Sequence, residues 1–497
     1  MKRKVKMFLA GVVAVLVVAL LAPLAVMEFG YPGMATASRA LLHAAVGYRG
    51  GHADTAELPL RVAAGYRVSV YAQELGNVRF MAVTPAGDLL VSRPRKGDVI
   101  LLGRDVNGDG VADSQRSVLS GLRRPHGLAL RDGWLYVAES DGIGKVAFDV
   151  SRGDVSGDYV RILNGLGDGG NHWTKTIGFG PDGWLYLSSG STCNVCEESD
   201  PQRATMMRLQ ADGSELEIIA TGLRNSVGFD WAPWNDALYA TDNGRDLLGD
   251  NFPPCELNRV EKGGFYGWPY FNAATPDPDY GDRQPENLPR NRPPVHEFRA
   301  HNAPLGIHFL QHQGNSDRMA LVALHGSWNR SEPDGYKVVA LRWLDDGDIA
   351  EDDFLIGFLQ GGDLHGRPVD VVEARDGRIF VSDDYAGRIY LVTQGQGDER
   401  NAATAARKLP SAGEALAAYS PDQRQALIEQ GEQLYQAKAC DSCHALATVR
   451  SLRGVGQRYK LAELADFFLA PTPPMPRFEL DANQREALAV YLFDRAD

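Results

Sequence analysis

Short apolar segments that each follow a tight turn recur along the chain from about residue 60 to residue 393. The turn is usually Asp-Gly, and the residues after it are mostly aliphatic or aromatic, a pattern that predicts buried β-strands. We therefore predict an all-β domain over residues 58–393. One residue marks each of the six copies: Leu89, Leu135, Leu185, Leu238, Leu321 and Ile379.

The spacing of the copies indicates the kind of β fold. Successive markers are 46, 50, 53, 83 and 58 residues apart, and a four-stranded propeller blade needs about 40–50 residues. We therefore predict a six-bladed β-propeller with a large insertion within residues 244–300, where Pro, Gly and Asn cluster. A β-sandwich is the alternative, but it gives no reason for one turn-and-strand unit to recur six times.

An uncharged run of 21 residues, Met7–Met27, follows four cationic side chains at the start of the chain. A helix of that length spans the hydrocarbon core, and the cationic flank favours the cytoplasmic side. Residues 1–30 are therefore predicted to be an N-terminal transmembrane helix, with the rest of the chain exported. A cleaved signal peptide is the alternative, because Ala35-Thr36-Ala37 offers a small-residue cleavage site, although far beyond the apolar run.

The last hundred residues change from strand signals to helix signals. Residues 394–419 are rich in Ala, Gly and Gln and have the composition of a flexible linker. Ser420-Pro421-Asp422-Gln423 then forms a capping box with proline at the first helical position, and Asp481 is the N-cap of a second predicted helix. We predict a small all-α domain over residues 420–497, which at fewer than about 80 residues needs a covalent or metal staple.

The charge balance excludes one class of partner. Lys and Arg number 51 against 64 Asp and Glu, giving a formal net charge of −13, whereas a nucleic-acid binder needs a cationic surface. We therefore expect no nucleic-acid partner.

A haem attachment motif supplies the staple. Cys440-Asp441-Ser442-Cys443-His444 has the C-x-x-C-H pattern in which two thiols bind haem c and the histidine ligates its iron. Met475 is expected to be the second axial ligand, because three neighbouring prolines brace the loop around it. Together with the helix signals, these motifs resemble small class I cytochromes c. The matching helix residues are Gly431, Tyr435, Leu488, Tyr491 and Leu492.

Several segments of the propeller resemble one enzyme family in order and content. They are Asn171-His172-Trp173-Thr174-Lys175, Gly222-Leu223-Arg224-Asn225-Ser226, Asp242-Asn243-Gly244-Arg245-Asp246, Glu256-Leu257-Asn258 and Gly267-Trp268-Pro269. Over roughly residues 65–393 the set is similar to the six-bladed quinoprotein sugar dehydrogenases, most of all their sorbosone and pyranose branch. The resemblance implies pyrroloquinoline quinone (PQQ) and Ca²⁺ at the mouth of the central channel.

The resemblance also implies roles for individual residues. His172 matches the general base that takes the proton from the sugar hydroxyl, a role that suits an imidazole. The residues expected to contact the cofactor are Arg224, Asn225, Arg367 and Lys337, the last being one of three candidates with Asn329 and Arg330 for the family's lysine. His126 is added on its position alone, because it precedes an inner strand and is expected to line the pocket. The expected calcium ligands are the carbonyls of Gly244 and Arg245, and Glu256 at a second, structural site.

Two substitutions depart from the family pattern. Asn171 stands where glucose-type enzymes carry an aspartate, and Val369 stands where the family has a second cofactor-binding arginine. We expect the first change to alter the contacts to substrate. The second favours an alternative in which the propeller is a non-catalytic, sugar-binding scaffold.

Two further motifs concern metal binding and cysteine chemistry. Asp105, Asn107, Asp109 and Asp113 alternate like the first part of an EF-hand loop, which predicts a structural Ca²⁺ site. Cys193-Asn194-Val195-Cys196 lacks a following histidine, so it predicts a small disulfide-closed loop near the active site rather than a second haem site. That pairing leaves Cys255 as a free thiol.

Together these features predict a quinohaemoprotein anchored in the bacterial inner membrane, with its propeller and haem domain facing the periplasm. After cleavage of the N-terminal segment it would instead be soluble in the periplasm. The propeller is expected to oxidise an aldose or related sugar and to pass electrons singly to the haem. The haem then reduces a respiratory-chain acceptor, which is a cytochrome, a quinone or a terminal oxidase. A non-sugar alcohol is an alternative substrate.

Overall fold

The structure is a computed structural model of the chain. It describes residues 59–312 and 318–395 and, towards the C-terminus, residues 416–417, 419–438, 440, 452, 461–469 and 478–495. Two compact units are present, one formed by residues 59–359 and 366–395 and the other by residues 360–365 with the described residues from 416 onward. The expected membrane anchor in residues 1–30 lies outside the described residues. Within those residues, no helix has both the length and the apolar character of a membrane span.

The first unit consists of antiparallel sheets whose strands mostly follow one another along the chain. Two segments come first, β1 (Arg61–Val62) and β2 (Tyr66–Ala72). Blade 1 contains β3 (Met81–Val83), β4 (Leu89–Arg93), β5 (Asp98–Leu102) and β6 (Gln115–Leu119). Blade 2 contains β7 (Leu128–Arg131), β8 (Trp134–Glu139), β9 (Gly142–Asp149) and β10 (Asp154–Asn164). Blade 3 contains β11 (Lys175–Phe179), β12 (Leu185–Ser189), β13 (Thr205–Leu209) and β14 (Glu217–Thr221).

The second half of the unit repeats this arrangement with one insertion. Blade 4 contains β15 (Phe229–Trp231), β16 (Leu238–Asp242) and β17 (Cys255–Val260), then an insertion with β18 (Gly264–Phe265), β19 (Phe271–Asn272), β20 (Thr275–Pro276) and a 3₁₀ helix (Gly281–Arg283), and last β21 (His296–Phe298). Blade 5 contains β22 (Pro304–Phe309), β23 (Met319–Leu324), β24 (Lys337–Trp343) and β25 (Ile349–Ile356). After the short segments β26 (Leu359–Gln360) and β27 (Asp363–Leu364), blade 6 contains β28 (Pro368–Glu373), β29 (Ile379–Asp383) and β30 (Arg388–Gln394).

The blades close into a ring, and the prediction of six blades is confirmed. β2, from the start of the chain, is the outer strand of blade 6, because it pairs with β30. The first strands contact one another in the order β3, β7, β11, β15, β22, β28 and back to β3. All six sequence markers lie on second strands, namely β4, β8, β12, β16, β23 and β29. The insertion falls within 244–300 as predicted, since it separates the last two strands of blade 4.

Apolar side chains fill the spaces between blades and also form a cluster near the axis. Between blades 6 and 1, for example, Leu89 and Val91 pack with Phe380 and Ile389, all fully buried. Near the axis, Phe80, Val227, Leu305 and Val369 form a small cluster contributed by four blades. Val369, at the position of the family's second arginine, is therefore part of the apolar core.

The C-terminal unit contains three described helices, α1 (Pro421–Ala437), α2 (Leu461–Phe467) and α3 (Ala482–Asp494). Ser420 and Asp481 cap α1 and α3 with complete capping boxes, as predicted. At Gly431 a Cβ atom would lie 2.2 Å from the carbonyl oxygen of Ala487, so only glycine allows α1 and α3 to pack this closely. Of the expected haem residues, Cys440 is half-buried, whereas Cys443, His444 and Met475 lie outside the described residues.

Candidate active site

The topology of the blades explains why the predicted site residues meet. First and second strands are antiparallel, so residues that precede a first strand and residues that follow a second strand lie at the same end of the propeller. His126, His172, Arg224 and Arg367 precede β7, β11, β15 and β28, and Gly244 follows β16. The fold therefore brings residues that are far apart in sequence to one end of the channel, which we call the site end.

His172 has the protonation state that a general base requires. Its Nδ1 lies 2.8 Å from the Oγ and 3.0 Å from the carbonyl oxygen of Ser191. The Ser191 hydroxyl donates to the carbonyl of Cys193 at 2.8 Å, so Nδ1 carries the hydrogen and Nε2 keeps its lone pair. Burial and the Arg224 charge lower the pKa of His172 to about 3, so the ring is neutral at physiological pH.

Two buried cations hold the loop that carries His172. Arg203 donates to the carbonyls of Gly169, His172 and Ser191 at 2.8–3.1 Å. Lys175, fully buried, donates to the carbonyls of Gly167 and Trp173 at 3.1 and 3.3 Å. Burial and the nearby Arg203 charge lower the pKa of Lys175 to about 7. The position of the base is thus fixed through backbone carbonyls rather than through carboxylates.

Arg224 is buried and fixed in place by several acceptors. Its Nε and Nη2 donate to the carbonyl and the side-chain Oδ1 of Asn194, both at 2.8 Å. Its Nη1 donates to the carbonyl of Asn243 at 3.0 Å, and Nη2 also lies 3.2 Å from a carboxylate oxygen of Asp246. These contacts use four of the five guanidinium hydrogens, so one hydrogen on Nη1 remains for a ligand.

The predicted calcium residues line one small cavity at the site end. Its walls include Arg224, Asp242, Asn243, Gly244, Arg245, Glu256, Trp268 and Asn272. Among the contacts of the described residues, the carbonyl oxygens of Gly244 and Arg245 accept no hydrogen bond, which leaves them for a hard cation that prefers oxygen ligands. The Arg245 side chain points elsewhere and forms ion pairs with Asp277 and Asp279.

Glu256 lies directly opposite Asp242 on the paired strands β16 and β17. Both carboxyl groups are buried, and burial raises the pKa of Glu256 to about 7 and that of Asp242 well above its usual value. Asn258 and the backbone N–H of Ala273 donate to Glu256. The pair therefore holds a proton at neutral pH unless a cation replaces it.

We predict that this pair makes stability depend on pH and on calcium. Between pH 4.5 and pH 7 the folded chain holds the Glu256 proton while the unfolded chain has lost it, so the free energy of unfolding should fall by up to about 3 kcal/mol as pH rises. Added Ca²⁺ should restore stability above pH 7, because it binds the ionised pair. Denaturant unfolding at several pH values measures both effects. Glu256→Gln should reduce both the fall in stability with pH and the response to Ca²⁺, whereas the same change at the exposed Glu286 should leave both as they are; an unchanged pH slope in Glu256→Gln would contradict the prediction.

Arg367 lies at the site end beside a charged cluster that the sequence pattern did not single out. Its Nε and Nη2 donate to the carbonyls of His325 and Gly326 at 3.0 and 2.8 Å. Nε2 of His325 lies 2.8 Å from Asp384, and Arg79 donates to the other oxygen of Asp384, also at 2.8 Å. Burial and the Arg367 charge lower the pKa of His325 to about 4, so it is a neutral donor. Arg79 thus adds a cation to the site, and its position directly before an inner strand is the signal that could have identified it.

His126 also lies at the site end and is fully buried. Its Nδ1 is 3.3 Å from the Thr176 hydroxyl, and its ring packs against Phe80 and Trp173. Burial and the Arg79 charge hold the pKa of His126 well below its usual value. His126 is therefore a neutral group at the site end.

Asn225 and Lys337 are placed differently. The backbone N–H of Asn225 donates to Asp242, and its carbonyl accepts from Asn243, so it joins the two loops of blade 4 at the site end. Lys337 begins β24, the third strand of blade 5, and forms an ion pair with Asp353 at 2.6 Å. That contact is made on an exposed part of the blade and gives no support to a cofactor role for Lys337.

The EF-hand-like segment forms a compact loop whose side chains bind its own backbone. Asp105 accepts from the N–H groups of Gly108, Asp109 and Gly110. The Asp109 N–H also donates to Asn107, and Asp109 and Asp113 accept from the N–H groups of Val111 and Val106. Within the described residues, the one group of three or more His, Cys, Asp and Glu ligand atoms within 4.8 Å of one another is Cys193, Cys196 and Glu198. Calcium at the Asp105 loop remains a prediction.

Cys193 and Cys196 form a disulfide, as predicted. The loop that they close follows β12 and lies at the site end. Cys255 is a free, buried thiol, and burial raises its pKa to about 11. The two cysteines therefore have a structural role beside the site, whereas Cys255 belongs to the core.

Unpaired polar atoms indicate where a ligand fits. Several side chains at the site end have buried polar atoms without a hydrogen-bond partner among the described residues. They include Arg79 Nε, His126 Nε2, Ser189 Oγ, Ser226 Oγ, Asn302 Oδ1, and both Oδ1 and Nδ2 of Asn329. Unpaired buried polar atoms are costly in a finished core, so the site end is suited to a polar ligand. With the remaining hydrogens of Arg224 and Arg367, it suits an anionic one.

The fold and site define a six-bladed propeller with a polar ligand site at one end of its channel. The chain belongs to the TrAA12-like family, whose profile matches residues 60–253 and 270–395. The pyrroloquinoline quinone-dependent pyranose dehydrogenase of Coprinopsis cinerea is 24% identical over 408 residues, covering 68% of this chain and 55% of that protein. The chain thus spans about half the length of the curated relatives it matches.

Two solved structures share the propeller fold. The holo form of the pyranose dehydrogenase PQQ domain from Coprinopsis cinerea has a TM-score of 0.58 and 21% identity, covering 70% of this chain and 99% of that one. The calcium structure of Trichoderma reesei family AA12 also has a TM-score of 0.58 and 21% identity, covering 70% of this chain and 100% of that one. At this level of identity the likeness shows the fold.

Proposed function

We propose that the propeller oxidises an aldose or related sugar with PQQ and Ca²⁺ bound at the site end. The observation that carries the proposal is the neutral His172, whose Nδ1 is occupied by Ser191 and whose Nε2 is free to accept a proton. The similarity to the PQQ-dependent pyranose dehydrogenase of Coprinopsis cinerea and to its holo PQQ domain supports the choice of cofactor and substrate class.

His172 acts on the sugar hydroxyl. Its Nε2 accepts the hydroxyl proton, and the resulting imidazolium donates through Nδ1 to Ser191. Burial and the charges of Arg224 and Arg203 disfavour this charged ring. An anionic quinone that paired with Arg224 would raise the pKa of His172 towards the range in which a general base works best. Arg203 and Lys175 keep the ring in place during this transfer.

The cations and free carbonyls at the site end would hold the cofactors. Arg224 and Arg367 would bind carboxylates of the quinone with their remaining hydrogens, and Arg79 supplies a further cation where Val369 does not. The carbonyls of Gly244 and Arg245 would ligate Ca²⁺. When bound, the quinone supplies the acceptor for the hydride from the sugar carbon, and Ca²⁺ acts as its Lewis acid.

The C-terminal unit would carry the electrons onward. The C-x-x-C-H motif at Cys440, Cys443 and His444, with Met475 as the sixth iron ligand, supports a covalent haem c. Haem attachment of this kind and the Cys193–Cys196 disulfide both fit an oxidising compartment. The enzyme would therefore face the periplasm, anchored in the inner membrane by residues 1–30, and would reduce a respiratory-chain acceptor.

Absorbance of the haem tests the whole proposal. The exported chain with covalent haem is mixed with PQQ, Ca²⁺ and each member of an aldose panel, and the reduced-haem band is followed. We expect reduction only when quinone, calcium and sugar are present together. Haem that dithionite reduces but no sugar does would contradict sugar oxidation and favour a non-catalytic propeller. A chain that binds no haem under maturing conditions would contradict the cytochrome part alone.

A further inference from the structure

The disulfide-closed segment at residues 193–196, here called the disulfide loop, has contacts in two directions that the mechanism above leaves unused. It joins β12 to β13 in blade 3. Its sulfur atoms take no part in the proposed proton transfer. Its polar groups, however, contact both the residues around His172 and those around Arg224.

Towards the base, the loop determines which way the Ser191 hydroxyl points. The Ser191 hydroxyl donates to the carbonyl of Cys193 at 2.8 Å. Its oxygen, Ser191 Oγ, accepts from His172 Nδ1, also at 2.8 Å. Because a hydroxyl has a single hydrogen, this contact assigns the hydrogen of the imidazole to Nδ1. The first carbonyl of the loop thus supports the tautomer of His172 that the Ser191 carbonyl, 3.0 Å from Nδ1, also requires.

Towards blade 4, Asn194 uses all of its side-chain polar atoms. Its Oδ1 accepts from Arg224 at 2.8 Å and from the backbone N–H of Asp246 at 2.7 Å, while its Nδ2 donates to the carbonyl of Asp246 at 3.0 Å. Its carbonyl accepts from Arg224 at 2.8 Å and from the Trp268 indole at 3.2 Å. Asn194 therefore holds the arginine and the loop after β16 at the same time.

We infer that the disulfide loop is a positioning element, with Asn194 as its contact residue, that fixes the Arg224 guanidinium relative to the His172 imidazole across blades 3 and 4. The disulfide restricts the conformations of the loop, and two charge-assisted hydrogen bonds transmit that restriction to the arginine. This inference deepens the proposed function and rests on it for its effect on catalysis.

Asn194→Ala in the full chain tests the inference by two readouts besides overall activity. PQQ affinity, measured by fluorescence titration, should weaken about tenfold, because Arg224 loses a charge-assisted partner. The acid limb of kcat/KM should move to higher pH, since Arg224 and Arg203 are the charged groups that face His172 and lower its pKa. Asn235→Ala, the same change in an exposed turn at the opposite end of blade 4, should alter neither readout. Unchanged affinity and pH profile in Asn194→Ala, with an active wild type, would overturn the inference alone.

The role of the disulfide is tested in two ways: by the double variant Cys193→Ser with Cys196→Ser, and by reducing the folded wild-type chain with a phosphine. In that reduction the phosphine is oxidised to its oxide with oxygen from water, and the disulfide takes up the two electrons and two protons to give two thiols. Both treatments should speed amide exchange at Asp246, whose N–H donates to Asn194. This exchange needs neither quinone nor sugar. A wild type that oxidises no sugar would refute the proposed function, whereas unchanged exchange at Asp246 would overturn the positioning role.

Discussion

Replacing His172 by Ala should lower kcat for sugar oxidation by about 10²–10⁴-fold, the range typical of a lost general base. PQQ binding should be nearly unchanged, because the cations that would hold it belong to other loops. Stopped-flow measurement of sugar-dependent haem reduction gives the rate, and fluorescence titration gives the affinity. The two together separate a lost base from a lost cofactor.

The control for this variant is His296→Ala. His296 lies on β21, the outer strand of blade 4, and its Nε2 is within hydrogen-bond distance of a carboxylate oxygen of Glu351, at 2.9 Å. It is a histidine with a carboxylate partner but lies on the strand of blade 4 that is separated from the first strand by two others, so its loss should leave kcat unchanged. A His172→Ala enzyme that keeps its full rate would rule out His172 as the base and direct attention to His126 or His325.

The fold could be predicted from the sequence because its signals are local and repeated. Each blade has its own turn and apolar second strand. The repeat could therefore be recognised even though one of its six copies, the one around Leu321, is weak. The helix starts at Ser420 and Asp481 were likewise predicted, since a capping box needs only four consecutive residues. What the spacing did not show is that β2 from the start of the chain completes blade 6.

Only those site residues could be predicted that belong to a recognisable motif or that lie directly before an inner strand. His172 and Arg224 satisfy both conditions. Arg79 and Asp384 are 305 residues apart, and only closure of the ring brings them together. The contacts of Asn194 were hidden for the same reason, because its partners belong to the next blade.

Replacing Asp384 by Ala should lower the free energy of unfolding of the propeller by about 3–5 kcal/mol, the usual cost of removing one partner from a buried ion pair. Asp384 follows β29 in blade 6, and Arg79 precedes β3 in blade 1. Their ion pair, with the hydrogen bond from His325, therefore lies across the junction that closes the ring. Denaturant unfolding of the full chain, followed by tryptophan fluorescence, measures the change.

The size of the effect follows from what the deletion leaves behind. Burial alone would raise the pKa of Asp384, but the hydrogen bond from His325 and the Arg79 charge hold it well below its usual range. Stability from this group is therefore present at neutral pH and is lost as pH falls through its folded-state pKa. Without the carboxylate, the Arg79 charge remains buried with no acidic partner. Asp376→Ala removes an exposed carboxylate that pairs with Arg378 and should cost about 0–1 kcal/mol. If the two variants lost equal stability, the Arg79–Asp384 pair would have no special part in closing the ring.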